Sequence, residues 1–176
     1  MKDRCIIIVG FMGCGKTTVA SALARLRNCG MLDLDEIISE QEDKTIFEII
    51  KERGESGFRR AETFALSAVL KGKRASIIAL GGGAWIIERN RALIAGHGCL
   101  TIFLDAPFEL CWKRISAEDL VRPLALDQSS AHELYRERRP VYELADLRIP
   151  ATEEKSADDL ASEIVAKMKR LRFVKG

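Results

Sequence analysis

A three-layer α/β/α sandwich around a five-stranded parallel sheet is the fold class this sequence predicts. Short apolar, β-branched runs alternate with helical patterns along the chain, so connections should be right-handed and the strands parallel. The first run leads directly into a glycine-rich stretch and then a helix, the order strand, loop, helix. No linker, internal repeat or low-complexity tract divides the 176 residues, so a single domain spanning 1–176 is expected.

The first strand is Cys5-Ile6-Ile7-Ile8-Val9, an apolar run suited to a buried parallel strand. Residues 10–18 follow as Gly-Phe-Met-Gly-Cys-Gly-Lys-Thr-Thr and fit G-x-x-x-x-G-K-[ST]. Glycines let the backbone approach a phosphate without a Cβ in the way. Successive N–H groups at Gly13, Cys14, Gly15, Lys16, Thr17 and Thr18 then form an anion-binding concavity at a helix N-terminus. Lys16 adds a charge for the β- and γ-phosphates, and the Thr17 hydroxyl can ligate Mg²⁺. Val19, Leu23 and Leu26 recur at helical spacing behind the loop.

Residues 31–35, Met-Leu-Asp-Leu-Asp, read as a second strand ending in two carboxylates. Alternate strand residues face one side, so Asp33 and Asp35 can enter a site together. Alternatively, Asp35 only caps the next helix. Thr45 and Glu48 form a capping box that restarts a helix, Gly54 breaks it, and another helix runs over 56–70. Arg59, Arg60 and Glu62 lie near its start; cations there oppose the helix dipole and hint at a use, although a solvated face is the usual reading of such charges.

A third strand covers 75–80, and Gly81-Gly82-Gly83 follows at once. Glycines at the C-terminal end of a parallel strand let a ligand approach the backbone closely. Trp85 comes next and is placed to report on such a pocket. A helix over 88–95 leads to strand 99–104, which ends at Asp105. The Leu-Thr-Ile-Phe-Leu-Asp run makes Asp105 a second candidate for Mg²⁺, in competition with Asp33.

Pro107 opens a helix through Arg114. Residues 116–130 are polar and aperiodic, contain Arg122-Pro123-Leu124, and have the length of a lid. A charged helix over 130–142 carries Arg136, Arg138 and Arg139. A short strand at 146–149 precedes a last helix that starts at Ser156, with Asp159 as its capping partner.

Composition narrows the partners. Hydrophobic residues make up 47% and charged residues 31%, as in an ordinary soluble globular protein. A net charge of +2 gives no reason to expect nucleic acid. No apolar run reaches membrane-spanning length, and a strand so near Met1 leaves no room for a targeting segment. Five scattered cysteines, without a C-x-x-C pair, indicate neither disulfides nor zinc but a reducing cytoplasm. Lys16 and the loop dipoles pull the Cys14 pKa downward, but a small residue is useful at that place in any case and no redox role is expected.

No N-K-x-D is present, so guanine recognition is not expected. Asp33, Asp35, Arg59, the glycine triplet, Arg122 and Arg138 remain to be accounted for. Guanidinium grips a carboxylate bidentately, and a carboxylate can orient or deprotonate an alcohol. The set suits a small acceptor with a hydroxyl and an anionic group.

Over nearly its whole length the chain resembles the shikimate kinases. The resemblance rests on the loop at 10–17, D-x-D at 33–35, G-E-x-x-F-R at 54–59, the triplet 81–83, R-P-L at 122–124 and R-x-P-x-Y at 138–142. It implies the nucleoside monophosphate kinase fold, with strand order 2-3-1-4-5, and the reaction ATP + shikimate → ADP + 3-phosphoshikimate. It further implies that Asp35 binds the shikimate hydroxyls and serves as base or orienter. Arg59 and Arg138 would clamp the carboxylate, and Gly81, Gly82 and Gly83 would line the acceptor pocket. Arg122 would come from the lid at 116–130, Arg114 would stack on adenine, and 35–62 would be a substrate-binding segment. One Mg²⁺ would sit on Thr17, with Asp33 reaching it through water, which decides for Asp33 over Asp105. A cytoplasmic monomer is expected. A gluconate-type sugar-acid kinase shares loop and size but accounts less well for D-x-D and the triplet together.

Overall fold

The computed structural model describes residues 4–72, 75–117 and 127–174. Five parallel strands form one sheet in the order β2-β3-β1-β4-β5: β1 Ile6–Val9, β2 Met31–Asp33, β3 Ile77–Ala79, β4 Leu100–Asp105 and β5 Leu147–Pro150. Helices cover the sheet, giving the expected sandwich. β1 is central, with Ile6 in register with both Ile77 and Leu100. A central parallel strand is covered on both faces, which is why Ile6, Ile7 and Ile8 are fully buried and the run is uniformly apolar.

Helix α1, Lys16–Arg27, leaves the glycine loop and packs on α7, Ala157–Val174. Its buried residues include Val19 and Leu23 from the predicted stripe, while Leu26 is 55% exposed. Helix α4, Glu88–Gly96, feeds β4, and α5, Phe108–Ala117, follows it. Helix α6, Gln128–Tyr142, begins two residues before the predicted start, because Asp127 and Ser130 cap it reciprocally.

One local expectation is corrected, at the end of the second strand, while the expected break at Gly54 is found. The second strand stops at Asp33, whose side chain accepts the Asp35 N–H at 2.9 Å and caps helix α2, Leu34–Glu42. Asp35 therefore sits in the first turn of a helix rather than on a strand, and Asp33 is the cap. The helical segment α3, Ile46–Gly72, bends at Gly54, which has φ 68 and ψ 172, and continues through the predicted 56–70 stretch. Its first turn has the expected Thr45–Glu48 box, with both reciprocal hydrogen bonds.

Candidate active site

All parallel strands point their C-terminal ends to one edge of the sheet, and two cavities open there. The first, of about 880 Å³, is lined by Asp35, Arg59, Glu62, Arg138 and all three glycines of 81–83. The second, of about 820 Å³, is lined by residues 13–18, Asp33 and Arg114. Met12, Asp35, Glu36 and Gly82 line both. The acceptor and phosphate residues picked from sequence thus fall into two adjoining chambers with Asp35 at the junction. Arg122 lies outside the described residues, as does most of the lid expected at 116–130.

In the second cavity, Lys16 folds back over its own loop and donates from Nζ to the Phe11 carbonyl at 2.9 Å. The Thr17 hydroxyl donates to Asp33 Oδ2 at 2.5 Å. Arg114 donates to the Gly13 carbonyl at 3.2 Å, so α5 is tied to the loop. The downward pull on Cys14 is outweighed. It is 2% exposed, and burial raises its pKa by more than Lys16 lowers it.

The first cavity is built on close backbone approach. A Cβ on Gly81 would come within 2.5 Å of Asp35 Oδ1 and 3.0 Å of Glu62 Oε1, and one on Gly83 would overlap the Arg59 guanidinium. A side chain at either position would push aside the acidic and guanidinium groups that α2 and α3 press against that backbone. Arg138 is 7% exposed and reaches the cavity from α6. Tyr142, one turn on, donates its hydroxyl to the Gly82 carbonyl and fixes the triplet against α6. Trp85 does not face the cavity. It is buried, and its indole N–H donates to the Val141 carbonyl at 2.8 Å, so it reports on the α6 contact instead.

Glu62 is the residue that sequence reasoning missed. It is fully buried, receives Arg59 Nη1 at 2.9 Å on Oε2, and leaves Oε1 without a hydrogen-bond partner toward the cavity. Burial, with a smaller contribution from the Asp35 charge, pushes its carboxyl up to about 7, against the pull of Arg59 and Arg138. Arg59 is also held by Glu55, at 3.1 Å from Nη2. Those two acids explain how an arginine is kept near a helix start despite the dipole. The available signal was the i, i+3 spacing of Arg59 and Glu62 on one helix face.

Asp105 is engaged elsewhere. Arg139 grips both its oxygens, at 2.5 and 3.0 Å, and Arg148 Nε adds a bond of 2.6 Å. It lines neither cavity. Its place in a strand-end motif is therefore structural, joining β4 to α6 and β5.

A family model described as shikimate kinase matches residues 12–169. The chain belongs to the shikimate kinase family. It is 38% identical over 163 residues to the shikimate kinase of Nostoc punctiforme, covering 91% of this chain and 88% of that one. The shikimate kinase of Lactococcus lactis subsp. lactis is 40% identical over 162 residues, covering 90% and 94%. The solved shikimate kinase of Acinetobacter baumannii in complex with shikimate superposes with a TM-score of 0.88 at 33% identity, covering 96% and 94%. The kinase family and the fold thus agree with the strand order and the glycine loop. No helix among the described residues is long and apolar enough to cross a membrane.

Proposed function

We infer that this chain transfers the γ-phosphoryl group of ATP to the 3-hydroxyl of shikimate, giving 3-phosphoshikimate and ADP. One observation carries the assignment of roles: the cavity with two arginines and the cavity with the glycine loop share Asp35 and Gly82. A hydroxyl held at Asp35 faces the end of a triphosphate held on the loop.

On this reading, Arg59 and Arg138 grip the shikimate carboxylate as paired, charge-assisted hydrogen bonds. Both already line the cavity, and Glu62 and Glu55 hold the Arg59 guanidinium in place, so little is reorganised on binding. The backbone of Gly81, Gly82 and Gly83 forms the wall against which the ring lies. Asp35 accepts the proton, or at least the hydrogen bond, of the attacking hydroxyl. The N–H groups of residues 13–18 hold the phosphates, and Lys16 leaves the Phe11 carbonyl to follow the transferred group. Arg114 lines the nucleotide cavity where an adenine can stack on it.

Thr17 and Asp33 offer two hard oxygen donors side by side at the phosphate chamber, a set that fits Mg²⁺. When bound, the ion supplies neutralisation of phosphate charge. Thr17 would give it a lone pair while its hydroxyl goes on donating to Asp33, which would act through water.

Residues 35–62 form the acceptor-binding segment of a single domain. The protein works as a cytoplasmic monomer. The deciding experiment measures ADP release by the purified chain with shikimate or gluconate as acceptor. Turnover with shikimate alone is expected; equal or faster turnover with gluconate would replace the acceptor assignment with a sugar acid.

A further inference from the structure

Two of the five cysteines meet at the edge of the sheet opposite the active site. Cys5 immediately precedes β1 and Cys99 immediately precedes β4. The pairing of Ile6 with Leu100 puts the two cysteines opposite each other, and Leu100 N–H donates to the Cys5 carbonyl at 2.8 Å. Side chains in register on adjacent parallel strands share a face, at a spacing of about 4.8 Å. That spacing lies within the Cα separation a disulfide spans. Gly98, at φ 66 and with open space around it, precedes Cys99, so the backbone can adjust to a new bond.

We propose that Cys5 and Cys99 are a peroxide-oxidisable dithiol that closes to an intramolecular disulfide between β1 and β4.

The surroundings favour this pair over the other thiols. The two thiols act on each other, which favours the thiolate at Cys99 and disfavours it at Cys5. Arg4 donates to the Gly98 carbonyl at 3.0 Å, and its charge further favours the Cys99 thiolate. Thiolate is the reactive form. Cys14 and Cys111 are shifted the other way by burial, Cys111 up to about 12. Cys99 is buried, at 7% exposure, and Cys5 beside it is half-buried, so only an oxidant as small as peroxide has a path to the pair.

The chemistry balances with a peroxide as oxidant. The Cys99 thiolate attacks one peroxide oxygen, the O–O bond breaks, and a sulfenic acid and hydroxide form. The Cys5 sulfur then attacks that sulfenic sulfur, its proton leaves with the departing hydroxyl as water, and the S–S bond forms. Overall, two thiols lose two electrons and two protons, and one hydrogen peroxide becomes two waters. The staple closes a loop of more than half the chain, and stabilisation grows with loop length. Its distance from the glycine loop is the length of β1, about 13 Å for four residues.

The test treats the folded, reduced chain with a few equivalents of hydrogen peroxide, alkylates remaining thiols and maps peptides by mass. A Cys5–Cys99 cross-link is expected, two hydrogens lighter than the reduced pair and reversed by dithiothreitol. The melting temperature should rise by roughly 5 °C or more. In C5S the cross-link disappears and dimedone captures a sulfenic acid at Cys99; in C99S, Cys5 stays a thiol at the same dose. Oxidation first at Cys14, Cys29 or Cys111, or a disulfide-linked dimer in place of the internal link, would overturn the proposal. The wild-type map decides the matter even where a serine variant folds poorly.

Discussion

Arg139 and Asp105 are joined by two parallel hydrogen bonds, so the start of the α6 C-terminal turn is locked to the end of β4. Asp105 is 8% exposed, and a carboxylate there without a guanidinium would be a buried, uncompensated charge. The neighbouring residue, Arg138, lines the acceptor cavity. The tie therefore sets the position of a substrate-facing arginine from behind.

Asp105→Asn should cost about 2 kcal/mol of stability, the scale of lost charge-assisted hydrogen bonds, because the guanidiniums it leaves behind are partly exposed, while leaving the Mg²⁺ requirement unchanged. Asp33→Asn should do the reverse, raising the Mg²⁺ concentration needed for half-maximal turnover with little loss of stability. Urea midpoints and a magnesium titration on both variants check this. If Asp105→Asn shifted the titration and Asp33→Asn did not, the ion would belong on β4.

Lys16→Met should keep the fold, because Lys16 is only partly buried and its one close oxygen partner is the Phe11 carbonyl of its own loop. Turnover should fall by roughly 10²-fold or more, the scale of losing one preorganised charge on the transferred group. Circular dichroism with steady-state kinetics separates the two effects. A folded variant with near-normal turnover would exclude the loop as the phosphate site.

The pH dependence of stability should carry the mark of Glu62. Its carboxyl is raised to about 7 from an ordinary 4.5, so the folded chain holds a proton that the unfolded chain releases. This contribution is complete below pH 4.5 and is lost as pH rises through about 7. The full shift corresponds to about 3 kcal/mol. Unfolding free energies at pH 5 and pH 8 should therefore differ less in Glu62→Gln than in the native chain. An identical pH dependence in the two proteins would mean that Glu62 is ionised throughout.

Most of this molecule was legible in its sequence because the signals are local. The isoleucines of β1, the glycine loop behind them and the capping box at Thr45 each act within a few residues. The acceptor residues stood out as a chemical set, but their individual roles were legible only through resemblance, since Arg59 and Arg138 meet by topology and no local rule relates them. Glu62 was not legible: a glutamate in a charged helix reads as solvated, and its complete burial depends on the triplet and α2 packing over it. Asp105 competed with Asp33 as a metal ligand until the resemblance decided for Asp33, because the motif is indifferent to what arrives from α6 and β5. The Asp33 cap was missed because both aspartates satisfied the cap preference, and only the strand's end decides between them.

The acceptor clamp gives the most direct test of the site. Arg59 and Arg138 come from α3 and α6 and line one cavity. Lysine keeps the charge but cannot reproduce the planar fork, so Arg59→Lys and Arg138→Lys should each weaken shikimate binding by about 1–3 kcal/mol. ATP affinity should change little, because neither side chain lines the nucleotide cavity. The loss should depend on the acceptor's carboxylate: an uncharged shikimate amide, already a poor ligand for the native chain, should lose little more in the variants. Calorimetric titration suits the measurement better than intrinsic fluorescence, since Trp85 is turned toward Val141 and away from the cavity. Glu62→Gln offers a graded comparison, because it loosens the hold on Arg59 while leaving the guanidinium in place. Its shikimate affinity should fall between those of the native chain and Arg59→Lys. If both lysine variants bound shikimate normally and lost ATP instead, the two arginines would serve the nucleotide, and the acceptor would have to lie elsewhere.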